Sequence, residues 1–330
     1  MKTFLCRCGN RLFFDNTQCL KCNREVAFSL DGAQLRTLDD VRKSKKSPEH
    51  PCANYGSGLC NWLSDTKNSL CLACRLNVET PSGAESSELL GNMETAKRRL
   101  LFTLHALKLP IVPQTENPAG LGFALRRGTA EAPVITGHAD GLITLDLNEA
   151  DPAKRAEIRD RLGEDYRTLL GHFRHESGHY YWMLFFASEV EKVSFREMFG
   201  DERADYAQAL SRHYDSPELN YENTHISSYA TSHPWEDWAE SWAHYLHIVD
   251  SWETAYAFGL RTGDKDTAHD SARFNALLDG WCELMIALNS MNRSMGHDDA
   301  YPFSLAPAVR KKLCFVADTV HKKASSISLG

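Results

Sequence analysis

The chain of 330 residues has an ordinary globular composition, with 42% hydrophobic and 25% charged residues. Its length allows one large domain and one small domain. No apolar run approaches the roughly 20 residues that cross a bilayer. The first residues also lack the apolar stretch and the cleavage site of an export signal. Composition therefore excludes a membrane-spanning protein and favours a cytoplasmic one.

The net charge of −7 is divided unevenly along the chain. Residues 1–80 carry a net +4, and the remaining residues carry −11. A zinc ion bound by four thiolates has a net charge of about −2, so two such sites leave the amino-terminal segment roughly neutral. A nucleic-acid-binding surface needs a strong basic surplus. We therefore do not expect a nucleic-acid partner.

Eight of the ten cysteines lie before residue 75 and form two quartets. In each quartet a ten-residue gap precedes a closing Cys-x-x-Cys unit, which is typical of a zinc site. A closed Cys₄ site stabilises a fold and does no catalysis, so we expect a zinc-ribbon domain over residues 1–80 with two structural zinc ions. Spacing alone leaves two alternatives open. The thiols could be redox-active, or the two sites could exchange cysteines. The quartets are Cys6, Cys8, Cys19 and Cys22, and Cys52, Cys60, Cys71 and Cys74.

Beyond a linker at residues 80–92, the next pattern predicts one helix and three short strands. Apolar residues at helical spacing predict a helix over Met93–Leu109, and strands are expected at Leu121–Leu125, Pro133–Thr136 and Leu142–Leu147. The dipeptide Asp140-Gly141 predicts a hairpin turn between the last two strands. We expect Leu142–Leu147 to be an edge strand that pairs with an extended substrate.

The remainder of the chain reads as almost wholly helical, so residues 81–330 are expected to form one mostly helical domain with a small sheet. The fold class predicted for the chain is therefore α+β. The expected helices begin at Asp151-Pro152 and then cover Arg167–Phe186, Ser194–Tyr214, Pro234–Ile248, Phe274–Met291 and Pro307–Lys323.

The sequence His175-Glu176-Ser177-Gly178-His179 carries the main chemical signal. Residues four apart lie on the same face of a helix, so His175 and His179 are placed to bind one zinc ion. Glu176 between them is placed to act as general base towards a zinc-bound water. His172 and Arg174 flank this motif, and either contact with substrate or packing behind the site suits them.

A catalytic zinc needs a third protein ligand, and the best supplier is Glu236. Pro234 is typical of a helix start, and it places Glu236 and Glu240 one turn apart on the same face. Glu240 is expected to accept the second imidazole N–H of a ligand histidine and so to orient it. His244 lies one turn further along this face. We expect it to support the ligands as Glu240 does, and it is also the main alternative to Glu236 as third ligand.

These motifs resemble those of the gluzincins and, over nearly the whole chain, those of bacterial zinc-binding metallopeptidases with an amino-terminal zinc-ribbon domain. The resemblance implies a zincin-like domain, in which a small sheet precedes the helix that carries the metal ligands. It leaves the substrate open. The sequence segments on which this resemblance rests are Cys6-x-Cys8-Gly9-Asn10, Ala96-Lys97-Arg98-Arg99-Leu100, Arg167-Thr168-Leu169-Leu170, Glu236–His247, and Asn292-Arg293-Ser294-Met295-Gly296 before Tyr301-Pro302-Phe303.

A second resemblance adds a candidate catalytic residue. In gluzincins of the anthrax lethal factor type, a tyrosine seven positions before the ligand glutamate assists catalysis, and Tyr229 has this offset from Glu236. A phenol there is expected to stabilise the developing oxyanion. His225 and His233 are weaker candidates for the same role.

The residues together predict a zinc metallopeptidase that hydrolyses peptide bonds by attack of a zinc-bound water, with one catalytic and two structural zinc ions. Two other functional hypotheses stay open. The first is an adaptor in which the zinc ribbon binds a protein partner and the peptidase half is inactive. The second is a zinc amidase or isopeptidase, which the same chemistry serves.

Overall fold

The computed structural model describes residues 2–44, 49–82, 87–162, 168–261 and 271–324. These residues form an α+β protein, which confirms the predicted fold class. Short hairpins occupy the amino-terminal part, and a small sheet and long helices follow. None of the helices in the described ranges has the length and apolar character that a membrane span requires.

The amino-terminal part consists of three two-stranded antiparallel hairpins. The two halves of this part are joined by hydrogen bonds, because the Asn61 side chain donates to the Phe14 carbonyl at 2.6 Å and the Tyr55 hydroxyl donates to the Val26 carbonyl at 3.1 Å. The elements are β1 (Phe4–Leu5), β2 (Arg11–Leu12), β3 (Val26–Ser29), β4 (Gln34–Thr37), α1 (Leu38–Lys43), β5 (His50–Pro51), β6 (Leu63–Ser64) and α2 (Leu72–Arg75).

The amino-terminal part packs on α3 (Ser87–Ala106), which is longer at its start than the predicted Met93–Leu109. The ring of Phe102 on α3 lies 5.2 Å from the ring of Phe14 and 5.8 Å from that of Phe28. Arg98 on the same helix donates to the Leu59 carbonyl at 2.5 Å. One apolar cluster therefore runs from the hairpins into the helical part. Residues 87–92 of the predicted linker belong to α3, and residues 83–86 lie outside the described ranges.

The small sheet has the strand order β7-β8-β10-β9. Its strands are β7 (Asn77–Glu79), β8 (Gly122–Arg126), β9 (Gly137–Ala139) and β10 (Leu142–Asp146). β8 pairs in parallel with both β7 and β10, whereas β9 pairs antiparallel with β10.

The prediction that Leu142–Leu147 is an edge strand is wrong. β10 has a partner on each side, and the edge is formed by β9. The predicted Asp140-Gly141 turn is present, with both residues at positive φ (48° and 86°), and it folds β9 back onto β10. The strand predicted at Pro133–Thr136 is displaced to Gly137–Ala139 for the same reason, since a two-residue turn pairs the residues directly before it.

The helices mostly follow the predicted pattern, with one correction. The single helix predicted for Ser194–Tyr214 is two helices, because the chain leaves the first helix at Gly200 with a φ of 101°. Arg167, the predicted start of the motif helix, lies outside the described residues. The helices are α4 (Pro152–Leu162), α5 (Leu169–Phe185), α6 (Glu189–Phe199), α7 (Tyr206–Asp215), α8 (Pro234–Ala257), α9 (Ser271–Ser294) and α10 (Pro307–Lys323).

The helix that carries the motif, α5, packs tightly against α8. A Cβ atom at Gly178 would lie 3.0 Å from the Cα atom of Ala239 and 3.0 Å from Cδ1 of Trp242. The Trp238 indole donates to the Gly178 carbonyl at 2.9 Å, and the Trp242 indole donates to the Ser177 hydroxyl at 3.0 Å. Ser177 and Gly178 of the motif therefore let α5 and α8 approach closely. This close approach sets the distance between the side chains that the two helices present to each other.

Candidate metal centre

The first cysteine quartet closes around a common point. The sulfur atoms of Cys6 and Cys22 lie 3.6 Å apart, those of Cys8 and Cys19 lie 3.7 Å apart, and all four lie within 4.8 Å of one another. Four thiolates placed tetrahedrally at about 2.3 Å from a zinc ion lie about 3.8 Å apart, whereas the sulfurs of a disulfide lie about 2.05 Å apart. The spacing fits a metal ion and does not fit disulfides.

The second quartet has the same arrangement and is buried throughout. The sulfurs of Cys52 and Cys74 and those of Cys60 and Cys71 are each 3.6 Å apart. Backbone amides donate to two of these sulfurs, from Cys71 to Cys52 at 3.3 Å and from Trp62 to Cys60 at 3.4 Å. Such donors stabilise thiolates, the form in which cysteine binds zinc. Neither quartet borrows a cysteine from the other.

A third cluster of ligand atoms joins α5 to α8. It contains His175 and His179 from α5 and Glu236 from the first turn of α8, with one ligand atom of each within 4.8 Å of the others. Glu236 Oε2 lies 3.0 Å from His175 Nε2 and 3.5 Å from His179 Nε2. Tetrahedral zinc with ligands at about 2.0–2.1 Å separates its ligand atoms by about 3.3 Å. The donor set and its spacing fit a zinc ion.

The protonation pattern of this cluster also favours a bound cation. Glu236 is 1% exposed, and its Oε2 accepts no hydrogen bond from the described residues. Burial alone would lower the pKa of His175, but the carboxylates of Glu236 and Glu240 raise it well above its usual range. Although burial opposes ionisation of Glu236, His179 and His175 hold its pKa well below its usual range. The buried carboxylates therefore require a positive charge between them.

Glu240 holds one of these imidazoles in place. Its Oε1 lies 2.7 Å from His175 Nδ1, and its Oε2 accepts a hydrogen bond from the Ser227 hydroxyl at 2.6 Å. Burial opposes ionisation of Glu240, but the hydrogen bond from His175 lowers its pKa to about 2. The anionic Glu240 holds the proton on Nδ1 and orients the ring so that Nε2 is the nitrogen that faces the cluster.

Tyr206 is a residue of the site that sequence reasoning missed. From the start of α7, its hydroxyl donates to Glu236 Oε1 at 2.7 Å. Burial and the charge of Glu236 raise the pKa of Tyr206 above its usual range, so it stays a donor. The bond occupies one oxygen of Glu236 and leaves the other for the cluster. No spacing rule signals a partner 30 residues away on another helix.

Tyr229 lies beside the cluster in a 3₁₀ turn (Tyr229–Thr231) just before α8. Its ring centroid is 5.9 Å from that of His175. Burial, followed by the charge of Glu236, raises the pKa of Tyr229 far above its usual range, so this hydroxyl also keeps its proton. The structure thus places two phenols next to the three ligand side chains.

Glu176 lies on α5 between the two histidines and is 5% exposed. Its Oε1 lies 3.3 Å from His172 Nε2, and its Oε2 has no hydrogen-bond partner among the described residues. Burial opposes ionisation of Glu176, but the hydrogen bond from His172 and the charges of His175 and His179 lower its pKa. Glu176 is therefore an anionic carboxylate with one available buried oxygen.

The other predicted histidines do not join the cluster. His244 is not among its ligand atoms; its Nδ1 lies 2.6 Å from the Tyr301 hydroxyl, because it extends one turn beyond Glu240 towards the segment before α10. His233 caps α8, accepting from the Trp235 amide at 3.1 Å and contacting the Ala204 carbonyl at 3.1 Å. His225 contacts the Thr224 hydroxyl at 2.9 Å.

Arg174 also lies away from the cluster. It is 2% exposed and forms an ion pair at 2.6 Å with Asp250, which lies further along α8 than Glu236 and Glu240. Arg174 precedes His175 by one residue and so lies roughly 100° from it around the helix, which fits its contact with Asp250 rather than with the cluster.

The arrangement brings together two histidines and a glutamate from neighbouring helices, with a second glutamate between the histidines, and this donor set could hold a metal ion. Residues 86–319 match the family described as "Putative zinc-binding metallo-peptidase", and residues 3–85 match a zinc-ribbon domain. The chain belongs to this zinc-binding metallopeptidase family and carries its amino-terminal zinc ribbon, as the sequence resemblance indicated.

Mycobacterial proteins are similar to the chain over nearly its whole length. The chain is 46% identical to the uncharacterized protein Rv2568c of Mycobacterium tuberculosis and to the uncharacterized protein Mb2598c of Mycobacterium bovis. Each alignment covers 98% of this chain and 96% of the relative. No solved structure matches the chain significantly.

Proposed function

We propose that the chain is a zinc-dependent metallopeptidase that hydrolyses peptide bonds. One observation carries this proposal: the buried Oε2 of Glu236 faces the Nε2 atoms of His175 and His179 at 3.0 and 3.5 Å, and Glu176 lies beside them with an available oxygen. A merely structural metal site has no need of a buried carboxylate that is not a ligand. The intact Glu176 also argues against an adaptor with an inactive peptidase half.

The proposal includes three zinc ions per chain. One is held by His175, His179 and Glu236, and the two cysteine quartets hold the others as closed structural sites. Thiols kept in this form suit a reducing compartment, so we also propose a cytoplasmic location.

The division of the chain at residue 80 belongs to the same proposal, with residues 1–80 as the zinc ribbon and 81–330 as the peptidase domain. The family matches, which meet at residues 85 and 86, support a division in this region. β7 lies on the ribbon side of residue 80 and nevertheless pairs with β8 of the peptidase sheet. The ribbon segment therefore supplies one strand of the peptidase sheet, and the two parts also share an apolar core.

The residues of the site have distinct tasks in this reaction. A zinc ion held by His175, His179 and Glu236 would act as a Lewis acid and would lower the pKa of a water molecule bound to it. Glu176 accepts the proton of the attacking water and passes it to the nitrogen of the leaving amine. Glu240 holds His175 in its binding orientation, and Tyr206 does the same for Glu236. Tyr229 keeps its proton and donates towards the oxygen of the scissile carbonyl.

The edge strand β9 is the proposed docking place for an extended substrate. No other strand among the described residues pairs with its outer side. The His138 ring on β9 lies 6.4 Å from the His179 ring, so a peptide added to this edge passes next to the cluster. The role first assigned to Leu142–Leu147 thus passes to Gly137–Ala139.

Cleavage of a proteome-derived peptide library tests the proposed function. We expect the wild-type protein to cleave library peptides and Glu176→Gln to lose activity by at least about 100-fold, because general-base catalysis contributes that much or more. Glu222→Gln, a change at an exposed glutamate, is the matched control and should cleave as wild type. Equal cleavage by wild type and Glu176→Gln, with zinc retained in both, would refute the proposal.

A further inference from the structure

His172 connects the candidate general base to a second buried carboxylate. It lies one turn before Glu176 on the same face of α5. Its Nε2 is 3.3 Å from Glu176 Oε1, and its Nδ1 is 2.7 Å from Glu149 Oε2. The side chain of His172 is 14% exposed, and those of Glu149 and Glu176 are 6% and 7% exposed. A single imidazole therefore bridges two largely buried carboxylates.

The far end of this bridge is held by other elements of the fold. Glu149 lies in the 3₁₀ turn Leu147–Ala150 that follows β10. Its side chain accepts a hydrogen bond from the Thr136 hydroxyl at 3.2 Å, and its backbone carbonyl accepts one from the Arg155 side chain at 2.6 Å. Glu149 is thus tied to the segment just before β9 and to α4, and it is a fixed support for the imidazole.

The bridge requires His172 to donate from both ring nitrogens. Two carboxylates that share one neutral imidazole would leave one of them facing a lone pair, which is costly in a buried place. Burial alone would lower the pKa of His172, but Glu149 and then Glu176 raise it to about 9. The two contacts and this pKa together favour a cationic imidazole at neutral pH, which pairs with Glu149 at 2.7 Å and with Glu176 at 3.3 Å.

We propose that His172, held by Glu149, is a positioning residue that fixes the Glu176 carboxylate for proton transfer. It occupies Oε1 of Glu176 and so leaves Oε2, which has no partner among the described residues, as the oxygen that accepts the proton. The polar contacts of His172 are with Glu149 and Glu176 and not with the three ligand side chains, so we expect its effect to be on the base and not on the metal. This inference rests on the proposed peptidase function.

Steady-state kinetics with metal analysis test the inference. We expect His172→Leu to lower kcat by about 100-fold, the effect of a small misplacement of a catalytic group, with KM and zinc content unchanged. His172→Gln keeps one donor and should recover part of kcat, and Glu149→Gln should lower kcat in the same direction. His297→Gln, a change at an exposed histidine, is the control. Wild-type kcat in His172→Leu would overturn the inference, while loss of activity in Glu176→Gln alone would leave the proposed function intact.

An NMR titration of the imidazole nitrogens tests the bridge without any measurement of activity. The His172 ring should be doubly protonated at pH 7.5 in the wild type, and its pKa should fall in both Glu149→Gln and Glu176→Gln. A neutral ring at pH 7.5, or a pKa that neither change moves, would overturn the inference. If the wild type cleaves no peptide, the proposed function fails, and this titration still decides whether His172 holds Glu176.

Discussion

The Tyr206 hydroxyl donates to Glu236 Oε1 at 2.7 Å, while Oε2 of the same carboxylate faces the imidazoles of His175 and His179. This bond sets which oxygen of Glu236 is available to a metal ion. Residues that orient metal ligands typically contribute 10–100-fold to metal affinity.

Removal of this hydroxyl should weaken the catalytic zinc site. We expect Tyr206→Phe to lower zinc affinity at this site by about 10–100-fold without loss of the two cysteine-bound ions. Competition with a chelator of known affinity measures the change. Tyr256→Phe, near the end of α8, is the control, and equal zinc affinity in Tyr206→Phe and the wild type would contradict the assigned role.

A methyl group at Gly178 should push α5 and α8 apart. Its Cβ would lie 3.0 Å from Ala239 and from Trp242, so we expect Gly178→Ala to destabilise the protein by about 1–3 kcal/mol and to weaken zinc binding. Gly91→Ala on α3 is the matched control, because a Cβ there meets nothing within 4 Å and alanine is the better helix former. Urea unfolding measures the stability of the two variants, and competition with a chelator measures their zinc affinity. A stable Gly178→Ala protein with full zinc affinity would show that the helix spacing does not set the site.

The buried His244 should make folding stability depend on pH. Burial lowers its folded-state pKa to about 4, below the value of 6.5 for a free histidine. Between these values the unfolded chain binds more protons, so stability falls as pH drops from 6.5 to 4, by about 3 kcal/mol from this residue.

Urea unfolding of the wild type and of His244→Phe at pH 7.5 and pH 5 isolates the contribution of His244 to the pH dependence of stability. The wild type should lose more stability than the variant over this interval. The difference cancels contributions that both proteins share, including protonation of other histidines. Equal losses in the two proteins would mean that His244 is already protonated when folded or that it is exposed.

The second cysteine quartet should be needed for the amino-terminal fold. Cys74→Ser removes a ligand of a closed site, and structural zinc binding contributes about 10 kcal/mol or more to folding. We expect the variant to lose one zinc ion per chain and to unfold at a lower temperature. Metal analysis and thermal unfolding report both, with Cys282→Ser, outside the quartets, as the control. An unchanged zinc content in Cys74→Ser would rule out the quartet as a zinc site.

The local parts of this molecule could be read from its sequence. Helical spacing placed His175 and His179 on one face, and Pro234 marked the start of the helix that presents Glu236 and Glu240. These signals are short in range, and the structure brings all four side chains together.

The rest depends on contacts between distant segments. Tyr206 reaches Glu236 and Glu149 reaches His172 only because of how the helices and the sheet pack. The edge strand was misplaced because parallel pairing of β10 with β8 leaves no local pattern, and β7, from the predicted ribbon segment, joins the same sheet. His244 lies on the expected face of α8 but one turn too far along it, next to Tyr301.

Peptide cleavage as a function of zinc content tests the central claim most directly. The open site at His175, His179 and Glu236 should release its ion to a chelator before the closed cysteine sites do. We predict that a protein with two zinc ions per chain cleaves nothing and that the third equivalent restores cleavage in proportion to its binding. Full cleavage by the two-zinc protein would contradict the account.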